Sequence, residues 1–216
     1  MDRFLGVDDF CTYLDGLGYP ARRSSQAERE RLPARLFSPD AHCITVEGAG
    51  FDMVSVRMQG VVGPRQLLRA RAFTLKVGSI PLVSRRLIPL RFHFVVFRDL
   101  PGDLVALEAR LRIVRRGLWS SGIHRVRWTG GQLGARLDND PRLAELLQGS
   151  MVADETLEVS ADRAAGCVRI VHGCTRQMDF SLFEREWLRF HQRLAPPELI
   201  AAVDRIARHA RSLGGS

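Results

Sequence analysis

Between Asp52 and Asp99 the chain has no carboxylate at all. That 46-residue stretch holds eight arginines and one lysine, so nine positive charges stand there without a negative one. Such a stretch cannot neutralise itself locally, and it creates a potential that attracts phosphates, acidic lipids or acidic protein faces. Lysine is nearly missing too: the 32 basic residues are Lys76 and 31 arginines. Arginine pairs bidentately with phosphate and carboxylate where lysine does not. The skew runs through ordinary helix faces such as Arg205, Arg208 and Arg211, however, so codon usage in a GC-rich genome accounts for it.

Other absences exclude whole classes. The longest charge-free run is too short to span a bilayer, and Met1-Asp2-Arg3 leads into two further aspartates rather than a cleavable apolar segment. A cytoplasmic location is expected. The four cysteines, Cys11, Cys43, Cys167 and Cys174, form no C-x-x-C pair and no tight framework, so reduced thiols are expected rather than a disulfide-stapled scaffold. There is no G-x-S-x-G elbow, no Gly-Lys-Ser/Thr phosphate loop, no G-x-G-x-x-G after a strand and no His-Glu-x-x-His. Asp138-Asn139-Asp140 lacks the glycine and distal glutamate of a calcium loop, and helix capping accounts for it. No reaction, cofactor or metal is therefore indicated, and the reading leans towards a non-catalytic protein.

What is present fits an ordinary globular chain: 216 residues, 45% hydrophobic and 26% charged, enough for one domain with a real core. Charge is unevenly placed. Residues 1–50 sum to −2, residues 51–136 to +12 and residues 137–216 to −2, so the middle carries more than the whole net +8.

Pattern divides the chain the same way. Val7, Phe10, Cys11, Leu14 and Leu17 have helical spacing, closed by Gly16, Gly18 and Pro20. Residues 21–40 are polar, with one more short helix at most, through Glu28 to Leu36. From His42 to Trp128 the period becomes two, predicting strands at His42–Val46, Phe51–Met58, Gln66–Val77, Arg91–Arg98, Leu104–Val114 and Ile123–Trp128. Leu100-Pro101-Gly102-Asp103 reads as a hairpin turn between two of them, and that turn favours strand for Leu104–Val114, whose leucines also fit a helical face. Beyond Trp128, Gly130-Gly131 turns into a short helix from Leu133 to Leu137. Asp140-Pro141 caps another, Thr156–Ser160 and Cys167–His172 read as strands, and Phe180–Leu194 and Pro197–Leu213 read as helices. The expected fold is α+β: a mostly antiparallel sheet of about six to eight strands with N-terminal and C-terminal helices packed on one face. The organisation is a single domain over 1–216, comprising a helical segment 1–40, a basic strand-rich core 41–128 and helices with two strands over 129–216.

The candidate site is an arginine surface spread over residues 57–127. Arg65, Arg69, Arg71, Arg85, Arg86, Arg91, Arg115 and Arg116 could bind an anion or an acidic partner. Trp119, in a basic turn flanked by glycine and serine, is a candidate anchor, because Trp beside Arg is typical of interaction hot spots. The plainer alternative is a solvated sheet face answered by acids on the terminal helices. Ser79 to Leu90 interleaves apolar residues with Arg85 and Arg86, a composition compatible with a lipid headgroup layer or with an edge strand and loop.

Arg91-Phe92-His93-Phe94-Val95-Val96-Phe97 resembles the RNA-recognition strand whose aromatics stack on bases, but the motif's glycine is absent and no companion strand lies upstream. An ordinary core strand explains it. Arg65-Gln66-Leu67-Leu68-Arg69 is similar to the paired arginines of PilZ-type cyclic-dinucleotide receptors without their Asp/Asn-x-Ser-x-x-Gly element, and an arginine-rich chain produces such a pair by chance. His42-Cys43 and His172-Gly173-Cys174 would approach a tetrahedral Zn²⁺ site only if their strands were neighbours, and adjacent strand residues face opposite ways. The leading expectation is a binding or adaptor module for an acidic protein partner. Nucleic acid or an anionic membrane bound by the same surface is the alternative, and an apolar-ligand carrier or an enzyme is the third.

Overall fold

The computed structural model describes residues 7–32, 42–58, 73–77, 80–115, 123–152, 154–181, 189–190 and 195–213. Helix α1 spans Val7–Gly16 and buries Val7, Phe10, Cys11 and Leu14 along one stripe, ending where Gly18 takes a φ of 85°. Strand β1 (Ala21–Arg23) leads into the short helix α2 (Gln26–Glu30). A reciprocal capping box starts α2: the Ser25 hydroxyl accepts from the Glu28 amide, and the Glu28 carboxylate accepts from the Ser25 amide at 2.8 Å. The helix expected through Leu36 is shorter than its pattern suggests, and the rest of that prediction lies outside the described residues.

The sheet is antiparallel throughout. Its strands are β2 (His42–Val46), β3 (Met53–Met58), β4 (Phe73–Val77), β5 (Ile80–Phe97), β6 (Ala109–Arg115), β7 (Ile123–Gly130), β8 (Thr156–Asp162), β9 (Cys167–Ser181) and β10 (Arg189–Phe190). They run in the order β1-β2-β3-β5-β9-β8-β6-β7, with β4 on β5 and β10 on β9. The long β5 and β9 pair continuously from Phe97↔Cys167 to Val83↔Ser181 and extend past the body of the sheet. Ile80–Leu90 is therefore strand throughout rather than strand and loop, paired with both β4 and β9 over Val83–Arg85 and with β9 alone over Arg86–Pro89 among the described residues.

Three sequence expectations are overturned. Leu100–Asp103 is not a hairpin turn, because β9 and β8 lie between β5 and β6. The connection crosses three strand spacings, about 14 Å, and passes over the β8–β9 turn, where Arg163 donates to the Gly102 carbonyl at 2.8 Å. Leu104–Val114 divides accordingly: Val105–Leu107 is a 3₁₀ turn with Leu107 fully buried, and the strand begins only at Ala109. Phe180–Leu194 is not a helix over its described part. Phe180 and Ser181 finish β9, and Arg189↔Asp179 with Phe190↔Met178 brings the chain back as β10. The unpaired edges of the extended strands impose that geometry over a locally helical pattern. Of the strand predicted over Gln66–Val77, Phe73–Val77 is in place and the remainder lies outside the described residues.

Helices α3 (Gln132–Asp138), α4 (Pro141–Ser150) and α5 (Pro197–Ser212) cover the same face as α1. Asp140 caps α4, accepting from the Leu143 amide at 3.2 Å, with Pro141 in the first turn as the sequence predicts. Helix α5 inserts Leu199, Val203 and Ile206 among the small Ala202, Ala207 and Ala210, all fully buried, which lets its axis approach the sheet closely. Arg98 donates to the carbonyls of Ala210 and Arg211, closing the C-terminal turn of α5 with a positive charge where the helix dipole favours one. One of the nine cations of the carboxylate-free stretch is thereby a helix cap. No helix among the described residues is long and apolar enough to cross a membrane.

Candidate functional site

Strand alternation sorts the middle of the chain into two faces. Leu90, Phe92, Phe94 and Val96 of β5 point towards the helices, where Phe92 and Phe94 are fully buried. They belong to the core, as the strand reading of that segment expects, and offer no stacking platform for bases. Of the alternate residues, His93 and Val95 are buried too and Phe97 packs on a second small cluster, so Arg91 alone carries charge there. Arg91 is exposed on the helix-free face, and in backbone register it lies opposite Arg57 of β3 on one side and Gly173 of β9 on the other.

Across β6 and β7 the same face continues with Arg110, Arg112, Arg125 and Arg127, all exposed. Arg112 and Arg127 stand directly opposite one another. A like-charged cross-strand pair on one face is locally unfavourable. Arg110 is answered by Glu158 of β8 at 3.1 Å, and Arg169 by Asp162 at 3.8 Å. Arg91, Arg112, Arg125 and Arg127 have no carboxylate partner among the described residues. Acids of the helices do not answer them, because those pair on their own side of the sheet: Asp8 with Arg23 at 2.7 Å, Asp204 with Arg208 at 2.9 Å, and Asp140 with Arg205 and His209.

The face is indented where β6, β7 and β8 meet. Strands β6 and β8 are joined only at Ala109↔Val159 and Arg110↔Glu158. Around this junction lies an open cleft of about 480 Å³, lined by Glu108, Arg110, Arg112, Thr129, Glu158 and Ser160. It offers two guanidinium groups and two hydroxyls against two carboxylates, and with Arg110 held by Glu158, Arg112 is the cleft guanidinium left to meet an anion. The far end of the face is closed by Leu32 packing on Cys43, Met53, Val95 and Cys167, with the Arg31 guanidinium 4.4 Å from the centre of the Phe97 ring.

The predicted site residues fare unequally. Arg91 stands on the open face. Arg85 and Arg86 are placed by backbone register only, opposite Asp179 and Met178 of β9, and Arg115 ends β6 beside a bulge. Arg65, Arg69, Arg71, Arg116 and Trp119 lie outside the described residues. The cleft arginines Arg110 and Arg112 fall beyond the carboxylate-free stretch, so local charge counting does not single them out.

The two His/Cys pairs do not come together. Strands β2 and β9 are separated by β3 and β5, and Cys43 faces the small cluster under Leu32 while His172 and Cys174 face the helices. Burial pushes the Cys43 thiol up to about 11, with a Ser55 hydrogen bond acting in the opposite direction, so it stays protonated at neutral pH. Beside His172 stands Glu155 instead, its carboxylate 3.2 Å from the imidazole Nε2. The two-residue spacing of His172 and Cys174 signals a shared face, but nothing in the sequence marks Glu155 as their neighbour. Neither a protein family, nor a characterised protein, nor a solved structure matches the chain.

Proposed function

We propose that this protein is a cytoplasmic binding module that presents the arginine face of its sheet to an acidic segment of a partner protein. The observation that carries the reading is the facing pair Arg112 and Arg127, both exposed and both without a carboxylate among the described residues, beside an open cleft. A local arrangement that costs stability is explained when a ligand supplies the missing negative charge. An extended acidic peptide fits the flat, strand-lined surface, with carboxylates accepting bidentate arginine contacts. Nucleic acid is the weaker reading, since Phe92 and Phe94, the aromatics that would stack on bases, are core residues.

The test is a salt titration of binding to three probes: a poly-glutamate peptide, a single-stranded oligonucleotide and vesicles containing phosphatidylserine. Binding of the peptide with a steep loss of affinity on added salt supports the reading, and replacing Arg112 or Arg127 should reduce that salt slope by about one. Preference for the oligonucleotide or the vesicles would replace the acidic protein by that partner. Failure of all three at about 50 mM salt would remove the binding role of the face.

A further inference from the structure

On the helix-covered side of the sheet, away from the arginines, three metal-competent side chains meet. His172 and Cys174 are two apart on β9 and share the helix side. Glu155 immediately precedes β8, whose Thr156 pairs with Gly173. One donor atom from each of Glu155, His172 and Cys174 lies within 4.8 Å of the other two. The side chains of His172 and Glu155 are 0% and 2% exposed, and Cys174 is 5% exposed.

The separation between His172 Nε2 and the Glu155 carboxylate, 3.2 Å, is near the edge of a tetrahedron built on bonds of about 2.0–2.1 Å, which is roughly 3.3–3.4 Å. The imidazole ring stacks on Phe92 with centroids 5.8 Å apart, which fixes its plane. Its Nδ1 is buried and has no hydrogen-bond partner among the described residues.

Chemistry selects the ligand. A carboxylate, a thiolate and a neutral imidazole carry two negative charges together, so a divalent cation brings the buried group to zero net charge. Sulfur and nitrogen donors disfavour Mg²⁺ and Ca²⁺, which take oxygen, and suit borderline ions that accept mixed ligands in tetrahedral geometry. We propose that Glu155, His172 and Cys174 form a binding site for a Zn²⁺-class divalent cation between the sheet and its helices. As the sulfur–metal bond forms, the Cys174 thiol releases its proton to solvent. The site ties the start of β8 to the middle of β9, so its role is to hold these strands under the helices.

The test uses the full chain, refolded from denaturant under reducing conditions with Co²⁺, whose thiolate charge-transfer and ligand-field absorption reports both sulfur ligation and geometry. The expected result is uptake of about one Co²⁺ per chain with tetrahedral-type absorption, displaced by Zn²⁺, and a rise in melting temperature with added Zn²⁺. Cys174→Ser should abolish the charge-transfer band and Cys43→Ser, on the opposite face, should leave it. Glu155→Gln should weaken Co²⁺ binding at least about tenfold. The wild-type spectrum stands without any variant, so a variant that fails to fold does not blunt the test. No Co²⁺ uptake by the wild-type chain, or a charge-transfer band that survives in Cys174→Ser, would reduce the trio to a hydrogen-bonded pair beside a buried thiol and overturn the proposal.

Discussion

Arg112 and Arg127 face each other across β6 and β7 on the open side of the sheet, two exposed guanidinium groups in direct register. Placing opposite charges there is worth about 0.2–1 kcal/mol relative to neutral pairs, and like charges reverse the sign. Arg127→Glu should therefore raise stability by about 0.5 kcal/mol in urea denaturation. The same change should weaken poly-glutamate binding at least about tenfold, because it replaces an anion contact by a repulsion. A variant that gains stability and keeps its affinity would separate the arginine pair from ligand binding.

How much of this was legible from sequence depends on the range of the interaction. Asp140-Pro141 marks its helix start correctly because the capping bond reaches only to the Leu143 amide. The stripe Leu199, Val203, Ile206 and Ala210 defines α5 for the same reason, since every signal lies within a few turns. Leu100–Asp103 misleads because turn residues say only that the chain bends, and the partner strand is decided by β8 and β9 arriving from later in the chain. The helical pattern of Phe180–Leu194 misleads in the same way, since Phe180 and Ser181 are extended against β5 and Arg189–Phe190 against β9. At the site, Arg91 was visible as part of a charge run. The relation of Arg112 to Arg127, and of Glu155 to His172, exists only in the register and packing of separate strands.

The assignment of faces on β5 can be checked with two substitutions. Phe94 is fully buried and meets Phe51 edge to face with centroids 5.1 Å apart, whereas Arg91 is exposed on the other side. Phe94→Ala should cost about 3–5 kcal/mol by emptying the centre of the core. Arg91→Ala should change stability by no more than about 0.5 kcal/mol. Comparable losses at both positions would contradict the alternation, and denaturant melts of the two variants decide it.

The turn between β7 and α3 tests the crossing connection. Gly131 donates its amide to the Glu108 carbonyl at 2.9 Å, and a Cβ at Gly131 would collide with the Val105 carbonyl and lie 2.8 Å from the Ala106 Cα. Both obstacles are backbone atoms of the 3₁₀ segment, so relief requires the connection itself to move. Gly131→Ala should lose more than about 1 kcal/mol, the collision adding to the poorer fit of alanine at the N-cap of α3. Thermal unfolding compared with Gly149→Ala, inside α4 where the added methyl meets nothing within 4 Å, reads the loss against an unobstructed glycine. Equal melting temperatures for the two variants would mean that the connection does not pack as described.

Acid should loosen the join between α4 and α5. Asp140 is buried and accepts from His209 Nε2 at 2.8 Å, from the Arg205 guanidinium and from the Leu143 amide. Burial alone would raise its pKa, but the hydrogen bonds from Arg205 and His209 outweigh it and hold the carboxyl at about 2. A depressed carboxylate contributes stability above its unfolded value of 3.8, and that contribution is lost as pH falls towards 2. Asp140→Asn keeps a capping oxygen and removes the charge. The wild type should exceed it by about 2 kcal/mol near pH 6, and by roughly half as much near pH 3. Urea denaturation of both proteins across that range reads the difference directly. A gap that stays constant with pH would mean that the Asp140 charge is not what holds the two helices together.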